Sequence, residues 1–196
     1  MTPKRPDLIL ASASPRRLQL LEQIGITPDR VVPTGIDEEV LPKEVPRVHA
    51  LRIATEKAKA AHARLGPGSG SVILAADTVV ACGRRILPKA EDDATVTKCL
   101  ELLSGRRHEV VTAVAVIDAT GKLRTRIVDT KVSFRRLDAE EIAQYARMRE
   151  GIGKAGGYAI QGRAAMFVRS INGSYTNVVG LPLTETFHLL RACGID

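Results

Sequence analysis

The chain has 196 residues, with 29 basic and 22 acidic side chains and a formal charge of +7. Hydrophobic residues make up 44% of it, which is typical of a soluble globular protein with a buried core and excludes a disordered or collagen-like chain. Aromatic residues amount to only 3%, which weakens any interpretation based on stacking platforms for single-stranded nucleic acid.

The first half of the chain predicts alternating strands and helices. Residues 8–11 form a short apolar strand, and helical spacing follows it directly. A segment rich in Pro, Gly and acidic residues, 31–46, is predicted to be a loop or a frayed strand. The apolar stripe of 48–65 predicts a long helix. Residues 72–81 are β-branched or Ala, as in a strand covered on both faces.

The second half continues this alternation and contains one evident hairpin. The predicted elements are a helix over 92–103, strands over 109–117 and 123–134, a helix over 138–149, a strand over 166–171 and a helix over 183–193. The chain contains no internal repeat and no linker that would divide it. We therefore expect one domain over residues 1–196 with an α/β fold and a mixed sheet.

The apolar runs and the cysteines indicate a cytoplasmic protein. The three cysteines are odd in number and far apart, so they predict neither a disulfide framework nor a CxxC zinc site. The run at 8–11 is too short for a signal peptide, and Asp77 interrupts the run at 72–82. No membrane association is expected.

The first candidate site follows the first strand. Ser14 is a natural N-cap and Pro15 suits the first helical position, which places Arg16 and Arg17 in the first turn, close to the hydroxyl of Ser12. Two cations at the positive end of a helix dipole each cost about 0.3 to 1 kcal/mol, and a bound phosphate would reverse this balance. The alternative is an ordinary helix whose arginines extend into water.

The second candidate is Asp77, an acid within a very apolar strand. Such a carboxylate must be paired, bind a metal or become protonated, because leaving it bare costs several kcal/mol. Glu38 and Glu39 in the acidic loop could help it to hold a hard cation through oxygen ligands. A structural ion pair is an equally good interpretation. Thr78 is expected on the opposite face of the strand.

Several lysines form the third candidate set. On the long helix, Lys57 borders the apolar stripe and can reach over the sheet, whereas Glu56 and His49 point away from the stripe. Lys89 and Lys154 lie in or after loops. For both of them a phosphate contact and a merely solubilising role remain open.

The fourth candidate is the Gly-rich segment 151–162. It satisfies G-x-G-x-x-G, but a helix precedes it, no helix follows and no acid lies about 20 residues on, so we reject a dinucleotide site. Glycines let a backbone approach a flat ligand, and the Gln161 amide can donate and accept toward a base edge. A simple turn-rich connection is the alternative.

Seven segments, taken in chain order, closely resemble the Maf family of nucleoside triphosphate pyrophosphatases. They are LILASASPRR, ATEKA, LAADTVV, LPKAEDDA, LSGRRHEVVTAVAV, KAGGYAIQG and SYTNVVGLPL. The resemblance implies a mixed, strongly twisted sheet flanked by helices, with two lobes around a cleft, similar to inosine triphosphate pyrophosphatases. It also implies a hydrolase of nucleotide metabolism that cleaves between the α- and β-phosphates, giving a monophosphate and pyrophosphate. A divalent cation, Mg²⁺ or Mn²⁺, is the implied cofactor.

The resemblance also implies roles for nine residues. Asp77 matches the proton acceptor, and Glu38 and Asp77 are the expected metal ligands; Arg16, Thr78 and Gln161 match positions tied to substrate choice, and Ser12, Arg17, Lys57 and Lys89 match the phosphate-handling set. The motif forms are similar to the branch that acts on dTTP and UTP, with modified pyrimidines included, rather than to the branch that acts on 7-methyl-GTP. Ala90 departs from the Pro of many relatives.

Two other classes of function stay open. One is a nucleotide-sensing regulatory protein that acts in septum formation. The other is nucleic-acid binding through the positive charge, which the scarcity of aromatics and of any basic stripe disfavours. We therefore expect a nucleoside triphosphate as partner and no stable nucleic-acid complex, and we leave open whether the chain forms a homodimer.

Overall fold

Strands and helices alternate along residues 5–66 and 68–196, the part of the chain that this computed structural model describes. The strands are β1 (Leu8–Leu10), β2 (Arg30–Val31), β3 (Val72–Cys82), β4 (Arg85–Ile86), β5 (Arg107–Ile117), β6 (Leu123–Phe134) and β7 (Val168–Asn172). The helices are α1 (Pro15–Gln23), α2 (Pro46–Leu65), α3 (Asp93–Leu103), α4 (Ala139–Arg147), α5 (Tyr175–Val179) and α6 (Leu183–Arg191), and a 3-10 helix covers Arg163–Phe167.

The strands form one mixed sheet in the order β2-β1-β3-β5-β6-β7, with β4 paired to β3. β1 pairs in parallel with both β2 and β3. The three pairs β3–β5, β5–β6 and β6–β7 are antiparallel. The predicted α/β fold with a mixed sheet flanked by helices is therefore confirmed. The predicted hairpin is also confirmed, since β5 and β6 pair from Arg107 with Ser133 to Ile117 with Leu123.

Two apolar layers cover the two faces of β3. On one face Ile73 and Ala75 pack with alanines of α2, among them Ala54 and Ala58, whose small side chains let the helix approach the sheet closely. On the other face Leu74 belongs to a larger core that includes side chains of α1, α3, α4 and α6. The prediction that 72–81 is buried on both faces is confirmed.

The shortest elements were not predicted. The two-residue β4 and the five-residue α5 are too short to show a hydrophobic period, and the 3-10 helix covers the start of the strand predicted over 166–171, so that β7 begins at Val168. No helix in the described part of the chain is both long and apolar enough to cross a membrane.

Candidate active site

A cleft of about 1090 Å³ opens at one edge of β3. Leu74 pairs with β1 and Ala81 pairs with β4, but between them the described residues place no strand on this edge. The start of α1, the irregular segment before α2 and the Gly-rich segment surround the gap. Its volume is that of a typical small-molecule site.

The structure brings all nine predicted site residues to this cleft. They are Ser12, Arg16, Arg17, Glu38, Lys57, Asp77, Thr78, Lys89 and Gln161. Because they come from separate parts of the chain, only the fold places them together. Their individual chemical roles stay predictions.

Arg17 is buried at the cleft and held by three hydrogen bonds. Its Nε donates to the Gly180 carbonyl at 2.8 Å, Nη1 to Ser12 Oγ at 3.1 Å and Nη2 to Thr78 Oγ1 at 3.3 Å. A guanidinium has five N–H groups, so two remain for a ligand. Burial lowers the pKa of Arg17, with Asp77 acting in the opposite direction.

The start of α1 is arranged differently from the prediction. Ser14 does occupy the N-cap position, but its side chain makes no capping hydrogen bond, and the first turn contains no acidic residue. Instead Ser12 Oγ accepts from the Ser14 amide at 3.1 Å. Arg16 Nε is buried without a partner among the described residues, and burial lowers the pKa of this guanidinium. The positive end of the helix dipole, without an acidic side chain, and the unsatisfied Arg16 favour an anion here.

Asp77 is paired, which is one of the three states expected for it. The carboxylate is 7% exposed, and Lys57 Nζ lies 2.8 Å from its Oδ1. The same ammonium lies 2.7 Å from Glu38 Oε1, and Lys89 Nζ lies 3.7 Å from Glu38 Oε2. Burial is the largest influence on the pKa of Glu38 and raises it, but the hydrogen bond from Lys57 and the charges of Lys57, Lys89 and Arg17 together lower it. Lys57 therefore reaches over the sheet, as predicted.

Thr78 projects to the opposite side of β3 from Asp77, because the ladder with β5 runs through both residues in regular register. Its hydroxyl lies 2.9 Å from Thr112 Oγ1 and accepts the bond from Arg17. Thr78 therefore helps to orient Arg17, an interaction that sequence spacing does not reveal.

The burial of His49 is not predicted by its expected position away from the apolar stripe of α2. His49 is 4% exposed and lines the cleft, with Nδ1 2.8 Å from Glu44 Oε2. A helical wheel shows only which side of α2 meets the sheet. It does not show that the segment before α2 folds back and covers a second side. Glu56 remains partly exposed and pairs with Arg52 at 3.4 Å.

Lys154 is the cleft residue that the sequence left undecided. It is half-buried, and burial together with Arg16 and Lys89 lowers its pKa. Its carbonyl accepts from Ala90 N at 3.0 Å, which ties the Gly-rich segment to the strand-like stretch around Lys89. The proximity of three cations distinguishes Lys154 from a solvated surface lysine.

The Gly-rich segment is packed tightly rather than loose. Gly156 has φ +68°, and a Cβ there would lie 2.8 Å from Val80 Cγ1. The Tyr145 hydroxyl accepts from Ala159 N at 3.0 Å, and Glu150 accepts from Arg163 N at 2.8 Å. These contacts fix the backbone on both sides of Gln161, whose exposed side chain lies at the rim of the cleft.

The carboxylates of the cleft fit a cation that is shared with a ligand. Within the described ranges no group of three or more His, Cys, Asp or Glu is placed to hold a metal ion. Glu38 and Asp77 nevertheless offer hard oxygen donors on either side of Lys57. Mg²⁺ is commonly held by one or two carboxylates together with substrate phosphates, so this donor set is suitable.

An α/β protein whose cleft contains two arginines, several lysines and a buried carboxylate is suited to bind a polyanion. The family model of Maf-like proteins matches residues 7–193, and the chain belongs to the Maf family. The resemblance predicted from the sequence is thus confirmed.

The chain is 57% identical over 189 residues to the dTTP/UTP pyrophosphatase of Caulobacter vibrioides, covering 96% of each protein. It is 56% identical over 193 residues to the dTTP/UTP pyrophosphatase of Novosphingobium aromaticivorans, covering 98% of this chain and 94% of that one. Among solved structures, the nucleoside-triphosphatase / dITP/XTP pyrophosphatase of Mycobacterium abscessus aligns with 95% of this chain and 94% of its own, at 19% identity and a TM-score of 0.45.

Proposed function

We propose that this chain hydrolyses dTTP and UTP at the α-β phosphoanhydride, giving the monophosphate and pyrophosphate. The observation that carries the proposal is a cleft that Asp77 shares with cations from four parts of the chain: the start of α1, α2 and the segments around Lys89 and Lys154. The names of relatives that are more than half identical over nearly the whole chain support the same activity.

The triphosphate is bound by the positively charged side of the cleft. Arg16 and the two free N–H groups of Arg17 lie at the uncapped start of α1, where backbone amides also favour an anion. Lys89 and Lys154, on two other segments of the chain, line the same cleft. These cations repel one another. The negative phosphate oxygens of the substrate would offset this repulsion, so the charges of the site favour triphosphate binding.

Asp77 acts as the base for the attacking water. Lys57 occupies Oδ1, which leaves the second carboxylate oxygen to accept a proton. Lys57 also orients the carboxylate, because it contacts Glu38 from the other side. Glu38 and Asp77 would hold the divalent cation, Mg²⁺ or Mn²⁺, together with phosphate oxygens. Such a cation neutralises charge on the triphosphate and makes a bound water more acidic.

Substrate choice is assigned to Gln161, Arg16 and Thr78. The Gln161 amide carries both a donor and an acceptor, and it can therefore pair with the imide edge of uracil or thymine. Thr78 acts through the Arg17 guanidinium that it contacts. A base without this donor and acceptor pattern would leave the amide unpaired, which costs affinity.

The test is pyrophosphate release from a panel of dTTP, UTP, CTP, ATP, modified pyrimidine triphosphates and 7-methyl-GTP. Preferred turnover of dTTP and UTP is expected. Release from 7-methyl-GTP alone would assign the other branch, and tight binding without release from any triphosphate would favour the regulatory alternative. A cytoplasmic location remains a prediction that localisation can test, and light scattering can show whether the chain forms a homodimer.

A further inference from the structure

Glu38 lies on a long irregular segment. Residues 32–45 connect β2 to α2 and contain neither helix nor strand. The local hydrogen bonds of this segment are short-range, such as Glu39 N to Asp37 Oδ1 at 2.9 Å and Glu44 N to Leu41 O at 3.0 Å. Val32 N donates to Leu10 O of β1 at 2.9 Å, which fixes the start of the segment to the sheet. The short-range bonds shape the rest of the segment but do not fix it there.

Two arginines of α2 bind the backbone of this segment on either side of Glu38. Arg64 donates from Nη1 to Pro33 O and from Nη2 to Thr34 O, each at 2.7 Å. Arg52 donates from Nη2 to Glu39 O at 2.9 Å, immediately after Glu38. Neither arginine is among the described residues that line the cleft.

Arg52 is itself held by a buried carboxylate of the same segment. The Glu44 side chain is 4% exposed and accepts from Arg52 Nε at 2.8 Å, from Arg52 Nη2 at 2.9 Å and from Leu41 N at 3.0 Å. His49 Nδ1 lies 2.8 Å from the same carboxylate. One guanidinium therefore joins the carbonyl next to Glu38 to the enclosed carboxylate of Glu44.

We propose that Arg52 and Arg64 are positioning residues that clamp segment 32–45 onto α2 and so hold the Glu38 carboxylate beside Lys57 and Asp77. The inference rests on the proposed function in one respect, namely that Glu38 takes part in binding and hydrolysing the triphosphate. The clamp explains how an exposed residue of an irregular segment reaches a position 2.7 Å from the Lys57 ammonium.

Arg52→Lys is the central variant. Lysine keeps a cation against Glu44, but it cannot at the same time contact both Glu44 oxygens and the Glu39 carbonyl. Arg124→Lys is the matched control, because Arg124 pairs with the well-buried Asp118 at the β5–β6 turn, away from the cleft. Hydrogen–deuterium exchange of residues 35–41 and kcat/KM for dTTP are measured for each, in the wild-type and Glu38→Gln backgrounds.

Arg52→Lys is expected to speed exchange in residues 35–41 and to lower kcat/KM about tenfold, whereas Arg124→Lys changes neither. If Arg52 acts through Glu38, the same substitution lowers kcat/KM by less than about twofold in the Glu38→Gln protein. Arg64→Lys should act in the same direction. It serves as the second variant should Arg52→Lys not fold, since Arg64 pairs with no buried carboxylate of the described residues.

The clamp would be overturned if Arg52→Lys left hydrogen–deuterium exchange in residues 35–41 unchanged. It would also be overturned if the loss of kcat/KM in the double variant equalled the product of the losses from Arg52→Lys and Glu38→Gln alone. Normal hydrolysis by Glu38→Gln would overturn it too, because Glu38 would then need no positioning, while dTTP hydrolysis by the wild type would still stand. A wild-type protein that does not hydrolyse dTTP refutes the proposed function instead, and the exchange data alone then decide whether the arginines hold the segment.

Discussion

Lys57 Nζ lies 2.8 Å from Asp77 Oδ1, although the two residues are 20 positions apart on different elements. The pair explains how a carboxylate is tolerated in a strand that is covered on both faces, since an unpaired charge there would cost several kcal/mol. It also leaves Asp77 at the wall of the cleft with one oxygen available for chemistry.

Replacing Asp77 with Asn should lower kcat for dTTP roughly 100-fold or more, because the amide keeps the shape of the side chain but cannot take a proton from water. KM should change far less. The measurement is steady-state pyrophosphate release, with the exposed pair member Asp129→Asn as control. A rate near that of the wild type would remove Asp77 from the role of base.

Replacing Arg16 with Ala should raise KM more than it lowers kcat and should narrow the difference between pyrimidine and purine triphosphates, since a positioning contact mainly governs binding. Arg163→Ala, an exposed arginine outside the residues that line the cleft, is the control. The test is the kinetic panel described above. Equal effects of Arg16→Ala on every triphosphate would speak against a discriminating role.

Removal of divalent cations should abolish most turnover, because without a bound cation the carboxylates of Glu38 and Asp77 repel the triphosphate and its charge stays incompletely neutralised. The rate is measured after treatment with a chelator and again after addition of excess Mg²⁺ or Mn²⁺, which should restore it. Undiminished hydrolysis in the chelator would show that the cations of the protein suffice.

Glu44 should make the stability depend on pH. The bonds from Arg52 hold its pKa at about 2, below the ordinary 4.5, so its stabilising effect is complete above pH 4.5 and is lost as the pH falls toward 2. Glu44→Gln should therefore lower the stability at pH 7 by about 1 kcal/mol, since solvent screens part of the interaction, and by progressively less toward pH 2.

Thermal or denaturant unfolding at pH 7 and pH 3 measures this difference. Glu56→Gln is the matched control, because Glu56 contacts the same Arg52 from a partly exposed position, and it should be nearly neutral at both pH values. A Glu44→Gln effect that is the same at both pH values would contradict the depressed pKa.

Long elements could be predicted from the sequence because their periods extend over several turns or pairs. The alanine stripe of α2 and the continuous apolar runs of β3 and β5 are signals of this kind. β4 and α5 give no such signal, since two to five residues cannot display a period. Their formation depends on the strands and side chains that they meet.

The sequence by itself determined the identity of the chemical groups: cations at the start of a helix, an acid in an apolar strand, an amide after a Gly-rich stretch, and the family to which these motifs belong. Only the tertiary structure decided their partners. It joined Arg17 to Gly180, 163 positions away, and it buried His49 against Glu44. The physical reason is that hydrogen bonds and ion pairs form over about 3 Å, a distance that depends on how distant segments pack.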